Sequence, residues 1–490
     1  MTLSQKLTNG AIWNASGFII KFIIGFFSSI LFVRLLGQTQ YGIVTFILSC
    51  VFFAGIFVNL GFGTVMTQVI AINRAKNRGT DLKSLLKKIT IPRLIILVLI
   101  TILFLQTNLI SDFLNKPYLS AYMIFVPLII FTSYFQGTLS SLLTCYYYQK
   151  VINITAIIEI MLKLILVITA IQMGYGVLGF LMALILSQLL SASTLVYHSK
   201  QLLNRFKDLP QTPFMLKKHV KLAYHSYLVS ISVRLLGREV DLFLIGVLHH
   251  DIREVAIYAV VFGLPKMVFD IFHHLIGGGL GLSAFTEYVK TGQIDELRHQ
   301  YQTILHLFSI GVFPAIIGGV IIGGDITQFV YGDEYANLSI PLAILFFSLG
   351  VSTISTVTSD ILYALNREKL LMQLQTSVGI INVAVNIMVI SKYGALGVAI
   401  TTGVALIIIT LFEMVLIHKL IKPNYPIKNW IIYLLFSSVM GGIITWLPLI
   451  FYWKVIIGII IYGGLLAVYE YFFNQHKNIQ MLYNICKVSR

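Results

Sequence analysis

Gly176-Val177-Leu178-Gly179 and Gly394-Ala395-Leu396-Gly397 carry one pattern twice, at an offset of 218 (176 to 394). Each copy follows one apolar stretch and opens another, so each reads as a tight helical hairpin. Tyr41 and Tyr258 match at nearly the same offset. A shorter match, Arg34-Leu-Leu-Gly37 with Arg234-Leu-Leu-Gly237, is set aside, because the first copy ends a helix and the second reads as mid-helix. The long offset pairs six apolar stretches with the next six. An even number per copy makes the repeat parallel, about an axis along the membrane normal, and transporters of that plan bind substrate near the midplane between the halves.

Composition supports a membrane protein. Of 490 residues, 57% are apolar and only 11% charged, against roughly 25% charged in soluble domains. A spanning helix needs about 20 mostly apolar residues, and loop signals cut the chain into fourteen. Spans 1 to 6 are 11–36, 41–72, 90–110, 118–146, 151–172 and 176–198. Spans 7 to 12 are 222–248, 254–282, 302–323, 339–364, 370–391 and 394–418, and spans 13 and 14 are 429–450 and 453–473. The expected fold is an all-α polytopic membrane protein of two six-helix bundles in pseudo-twofold relation, plus two C-terminal helices. Its parts are a first bundle over 1–200, a basic cytoplasmic linker over 201–221, a second bundle over 222–422, and 423–490 as two additional helices with a cytoplasmic tail.

The charge imbalance, 35 Lys or Arg against 19 Asp or Glu, follows the same plan. With the N-terminus inside, the inner segments take most of the basic residues, including the cluster from Lys83 to Arg93. The outer ends keep only Arg34, Lys116, Arg253, Lys392 and Lys454. Such an imbalance is the positive-inside pattern, and it places both termini in the cytoplasm. Basic residues spread thinly between apolar stretches do not make a nucleic-acid surface. Cys50, Cys145 and Cys486 are too far apart for a metal or disulfide framework, and no cofactor motif or catalytic signature appears.

Five basic residues remain inside helix cores: Lys21, Lys163, Arg234, Arg238 and Lys266. Each costs about 2.5–3.5 kcal/mol at the bilayer centre, so they are expected to face a polar interior, with Lys21, Lys163, Arg234 and Lys266 in one layer near the midplane. Spacing at three and four aligns Asn14, Gly17, Lys21, Gly25 and Ser28 on span 1. Ser226, Ser230, Arg234, Arg238 and Asp241 align on span 7. Span 8 aligns Gly263, Lys266, Asp270 and His273; span 5 aligns Thr155, Glu159 and Lys163. Glu159–Lys163 and Lys266–Asp270 are i,i+4 pairs and could equally be structural. Glu413, Asp360 and His306 read as structural polar points. A cationic midplane layer suits an anion, and a diphosphate balances several Lys or Arg side chains. A bulky amphiphile, its head in the cavity and its tail in lipid, fits best.

The opening Asn9-Gly10-Ala11-x-Trp13-Asn14, the turn Arg34-Leu-Leu-Gly37-x-x-x-Tyr41-Gly42 and Asn59-Leu-Gly61-Phe-Gly63 resemble the start of bacterial polysaccharide exporters. These are the oligosaccharide (O-antigen) flippases of the multidrug/oligosaccharidyl-lipid/polysaccharide superfamily. The resemblance implies alternating-access transfer of an undecaprenyl-diphosphate-linked repeat unit from the inner to the outer leaflet of the cytoplasmic membrane. It implies membrane lipid, a polysaccharide polymerase and chain-length machinery as partners. Lys21 and Arg234 occupy positions where relatives place basic cavity residues. The implied ion coupling would fall to Asp241, Asp270, Glu159 and His273. The competing readings are a drug/cation antiporter or lipid II flippase of the same superfamily, and a membrane glycosyl polymerase or ligase, which would need a larger outer loop.

Overall fold

A computed structural model describes residues 3–75, 79–80, 82–205, 211–212, 214–272, 274, 281–448 and 450–472. Among these, regular structure is helical apart from one two-residue parallel pairing, Gly79–Thr80 with Gln211–Thr212. Eleven helices among the described residues are long and apolar enough to cross a membrane. Two of the eleven are hairpins. Leu3–Asn59 turns at Gly37 (φ 69°, ψ 171°) and Glu368–Ile421 turns at Gly394 (φ 50°, ψ −134°), where a side chain would resist the backbone conformation. Divided at those glycines, and with span 7 counted as one interrupted helix, they give the fourteen spans.

The repeat that set the topology recurs in backbone detail. Gly176 has φ 47° and Gly394 φ 50°, so the first glycine of each copy turns the chain left-handed. The second glycine of each copy lets the helix pass close to its neighbour. A Cβ at Gly179 would stand 2.7 Å from the Ala170 Cβ, and one at Gly397 2.9 Å from the Tyr393 Cβ.

Span 7 departs from the sequence reading. It consists of Val220–Arg234 and Arg238–Leu248, separated by a turn with Gly237 extended at φ −79°, ψ 145°. Arg234-Leu-Leu-Gly237 therefore ends a helix, as Arg34-Leu-Leu-Gly37 does. The reason for setting that match aside was mistaken, and the polar stripe from Ser226 to Asp241 is not one continuous helix face.

By packing, the chain falls into two compact units, 1–256 and 257–490. The first contains spans 1 to 6 and both halves of span 7. Glycines of span 2 and span 7 set the fit: a Cβ at Gly61 would lie 2.1 Å from the Ala223 carbonyl oxygen, and one at Gly246 2.0 Å from the Phe46 ring. The segment before span 7 is held on the same unit. Besides the strand pairing, Phe214 is buried in a core with Phe62, Leu85 and Leu142, and Lys88 Nζ donates to the Phe214 carbonyl at 2.7 Å. In the second unit, spans 13 and 14 join span 9 through Ile322, Met440, Ile444 and Tyr462. The Tyr462 hydroxyl donates to the Ile310 carbonyl at 2.7 Å.

Candidate functional site: cations within the membrane spans

The inner half of span 1 lies against the start of span 5. Trp13 receives Lys150 over its ring at 5.3 Å. Asn153 Nδ2 donates to Asn14 Oδ1 at 2.9 Å, and Lys21 Nζ donates to Asn153 Oδ1 at 2.9 Å. A Cβ at Gly17 would stand 2.5 Å from Asn153 Oδ1, so glycine there admits the asparagine. The Asn-Gly-Ala-x-Trp-Asn opening thus builds the platform on which Lys21 rests. An ammonium has three donors; Asn153 takes one, and none of the ion pairs among the described residues includes Lys21.

A second cation group surrounds two helix breaks. Span 2 is interrupted at Leu60 (φ 52°) and Gly61 (φ 67°), which leaves the Asn59 carbonyl without its helical donor. Arg93 supplies one: Nη2 donates to Asn59 O at 3.1 Å and Nη1 to Thr138 Oγ1 at 3.0 Å. The negative end of the helix favours the cation as well. Asn59 Nδ2 reaches Ser230 Oγ at 3.4 Å, linking this break to span 7. There Arg234 lies over the Phe52 ring at 4.8 Å near Tyr134, whose hydroxyl donates to the Gly55 carbonyl. Arg93 was expected at the cytoplasmic end of its span. It lies inside the helix instead, because Leu82–Leu105 begins a full three turns earlier, with Leu82, Leu85 and Ile89 buried.

The remaining sequence-selected residues divide by unit. Lys163 lies over the Phe32 ring at 6.0 Å. It makes no direct ion pair with Glu159, whose Oε2 accepts from Gln136 Nε2 while Gln136 also donates to Ser191 Oγ at 2.9 Å. Lys21 and Lys163 meet span 5 ten residues apart, at Asn153 and at 163, or about 15 Å along a helix. Lys21 and Lys163 therefore do not share one level. Arg238 opens the second half of span 7, and Asp241 is fully buried in its first turn, where the helix dipole favours an acid. In the second unit, Lys266 and Asp270 form an ion pair at 2.8 Å with half-exposed side chains. His273 lies outside the described residues.

Spans 10 to 12 hold a polar centre that spacing did not reveal. Glu413, fully buried, accepts from Ser355 Oγ at 2.7 Å and Ser359 Oγ at 3.2 Å. Elsewhere on spans 11 and 12, Asn386 Nδ2 donates to Asn382 Oδ1 at 3.2 Å, and Thr401 donates to Asn386 Oδ1. His306 has both ring nitrogens engaged, with Asn429 at 2.8 Å and Tyr433 at 3.3 Å. Partners of this kind come from other helices, so a single-span pattern cannot announce them.

Chemically, the first unit offers an ammonium with donors to spare and a guanidinium stacked on an aromatic face, which leaves its N–H edge for an anion. The same fold occurs in solved structures. One is a lipid II flippase MurJ in an inward closed conformation, with TM-score 0.74, 16% identity, and 94% of this chain and 98% of that one covered. A second is an inward-facing multidrug resistance MATE family transporter of the MOP superfamily, with TM-score 0.64, 14% identity, and 82% and 94% covered. A third is a MOP superfamily transporter from Pyrococcus furiosus with a binding pocket of reverse polarity, with TM-score 0.54, 14% identity, and 85% and 95% covered. No curated protein matches the sequence. The family described as polysaccharide biosynthesis protein matches residues 7–280, more than half of the chain, across the whole first unit and its cations. The chain belongs to the polysaccharide biosynthesis protein family.

Proposed function

We propose that the protein is a flippase of the bacterial cytoplasmic membrane. It carries undecaprenyl-diphosphate-linked oligosaccharide repeat units from the inner to the outer leaflet by alternating access, with both termini in the cytoplasm. The observation that carries this reading is the pairing of Lys21 and Arg234 with neutral groups: Asn153 for one, Phe52 and Tyr134 for the other. Cations held inside membrane spans by neutral partners keep most of their charge for a ligand. A lipid-linked diphosphate supplies the opposite charge, and charge-assisted bonds to its oxygens are about twice as strong as neutral ones. A drug/cation antiporter would favour the reverse polarity.

In this scheme the diphosphate meets Lys21 and Arg234, with Lys163, Arg238 and Lys266 adding to the field along its path. The glycan lies in water and the prenyl chain stays in lipid. The two six-span repeats act as the moving bundles, and Asp241, Asp270 and Glu159 are the candidates for ion coupling. Separate Lys21→Ala and Arg234→Ala variants should abolish surface polysaccharide in the producing cell while the protein remains in the membrane, checked by immunoblot of membranes. Normal polysaccharide export by both variants would refute the assignment.

A further inference from the structure

A cleft of about 170 Å³ opens among spans 2, 3 and 4, bordered by Tyr134, which Arg234 also approaches. Its walls are apolar: Leu94, Leu97, Phe131 and Phe135. Leu94 is 40% exposed, Phe131 43% and Phe135 42%. Farther along span 3 the same outward character continues, with Val98, Leu99 and Ile102 exposed. A helix face this apolar is one that a membrane protein turns to lipid. Among these apolar walls stand four polar groups, Thr90, Arg93, Tyr134 and Thr138. An apolar channel closed by a few convergent polar groups is the usual form of a small-ligand site.

Arg93 makes this an anion site. Its two terminal nitrogens are engaged with Thr138 and the Asn59 carbonyl, both uncharged, while Nε is buried without a hydrogen-bond partner. None of the ion pairs among the described residues includes it. A guanidinium lining a lipid-facing cleft, with N–H donors left over and no carboxylate paired to it, lacks a counter-ion. Depth is suitable as well. Thr138 lies seven residues before Cys145, the end of its helix, or about 10 Å along the axis. On the proposed topology that end is cytoplasmic, within reach of an inner-leaflet headgroup that sinks slightly into the cleft.

We infer that the cleft binds one anionic glycerophospholipid of the cytoplasmic leaflet, its phosphodiester on Arg93 and part of one acyl chain between Leu94 and Phe135. The single positive charge of Arg93 matches the single negative charge of a phosphodiester. The bound lipid completes the wall of spans 2 to 4 beside the break at Leu60–Gly61, independently of what the protein transports.

Native mass spectrometry of the purified full-length protein, titrated with phosphatidylglycerol or phosphatidylethanolamine, tests the inference. The wild type should retain one phosphatidylglycerol in preference to phosphatidylethanolamine. Arg93→Gln and Leu94→Trp should each lower that retention by about fivefold or more, the former by removing the charge-assisted bond and the latter by filling the cleft. If Arg93→Gln does not fold because the Asn59 carbonyl loses its donor, Leu94→Trp decides, since it leaves both arginine bonds in place. Wild-type retention by a folded Leu94→Trp protein would overturn the inference, as would equal binding of the two lipids. Displacement of phosphatidylglycerol by equimolar undecaprenyl diphosphate would also overturn it, by giving the cleft to the transported lipid.

Discussion

The polar interiors of the two units are built on different principles. In the first, Lys21, Arg93 and Arg234 lie within spans and touch an amide, hydroxyls, a backbone carbonyl and aromatic faces. In the second, the cation Lys266 has a direct acidic partner, and the buried carboxylate is held by hydroxyls. Lys266 has Asp270, Glu413 has two serine hydroxyls, and the Asn382–Asn386–Thr401 chain is neutral throughout. Burying a charge is costly unless it is paired. On the proposed function the charged ligand takes its main contacts from Lys21 and Arg234 of the first unit, and the Glu413 centre of the second is scaffold.

That contrast can be broken from the second unit. Glu413→Gln keeps the shape and one acceptor for Ser355 or Ser359, and it should cost about 1.5–3 kcal/mol of stability, the range for a bond to a charged group. Thermal unfolding in detergent reads the cost, and transport should persist. Loss of transport by a folded Glu413→Gln protein would show that the second unit's carboxylate is functional and dissolve the distinction. A smaller effect is expected at Lys266–Asp270. Both side chains are half exposed, so a double-mutant cycle with Lys266→Met and Asp270→Leu should give a coupling of about 1 kcal/mol or less. A coupling several times larger would place the pair in a drier setting than its exposure indicates.

Some of this arrangement was legible in the sequence and some was not. The hairpin glycines were, because a left-handed turn between two apolar stretches has few alternatives, and Gly176 and Gly394 share φ as well as sequence. Lys21 was legible because Gly17 and Asn14 stand one and two turns before it on the face that meets Asn153. Arg93 was hidden by its neighbours. Three lysines just before it, with Pro92 adjacent, look like the cytoplasmic start of a helix, yet the helix already runs from Leu82. The break in span 7 was hidden too, since one glycine after Arg234-Leu-Leu reads as continuous helix unless the partner span is known to need it. Tyr134, Asn59 and Gln136 matter through contacts with other helices, and such contacts leave no period in their own.

The central claim is that anion recognition resides in the cations of the first unit. It is tested most directly in liposomes containing the purified protein and an undecaprenyl-diphosphate-linked oligosaccharide, by measuring the rate at which the glycan becomes accessible on the opposite leaflet. Lys21→Met and Arg234→Met should each slow that rate by about tenfold or more, the equivalent of roughly 1.4 kcal/mol, with the folded fraction unchanged. Wild-type rates in both folded variants would contradict the account.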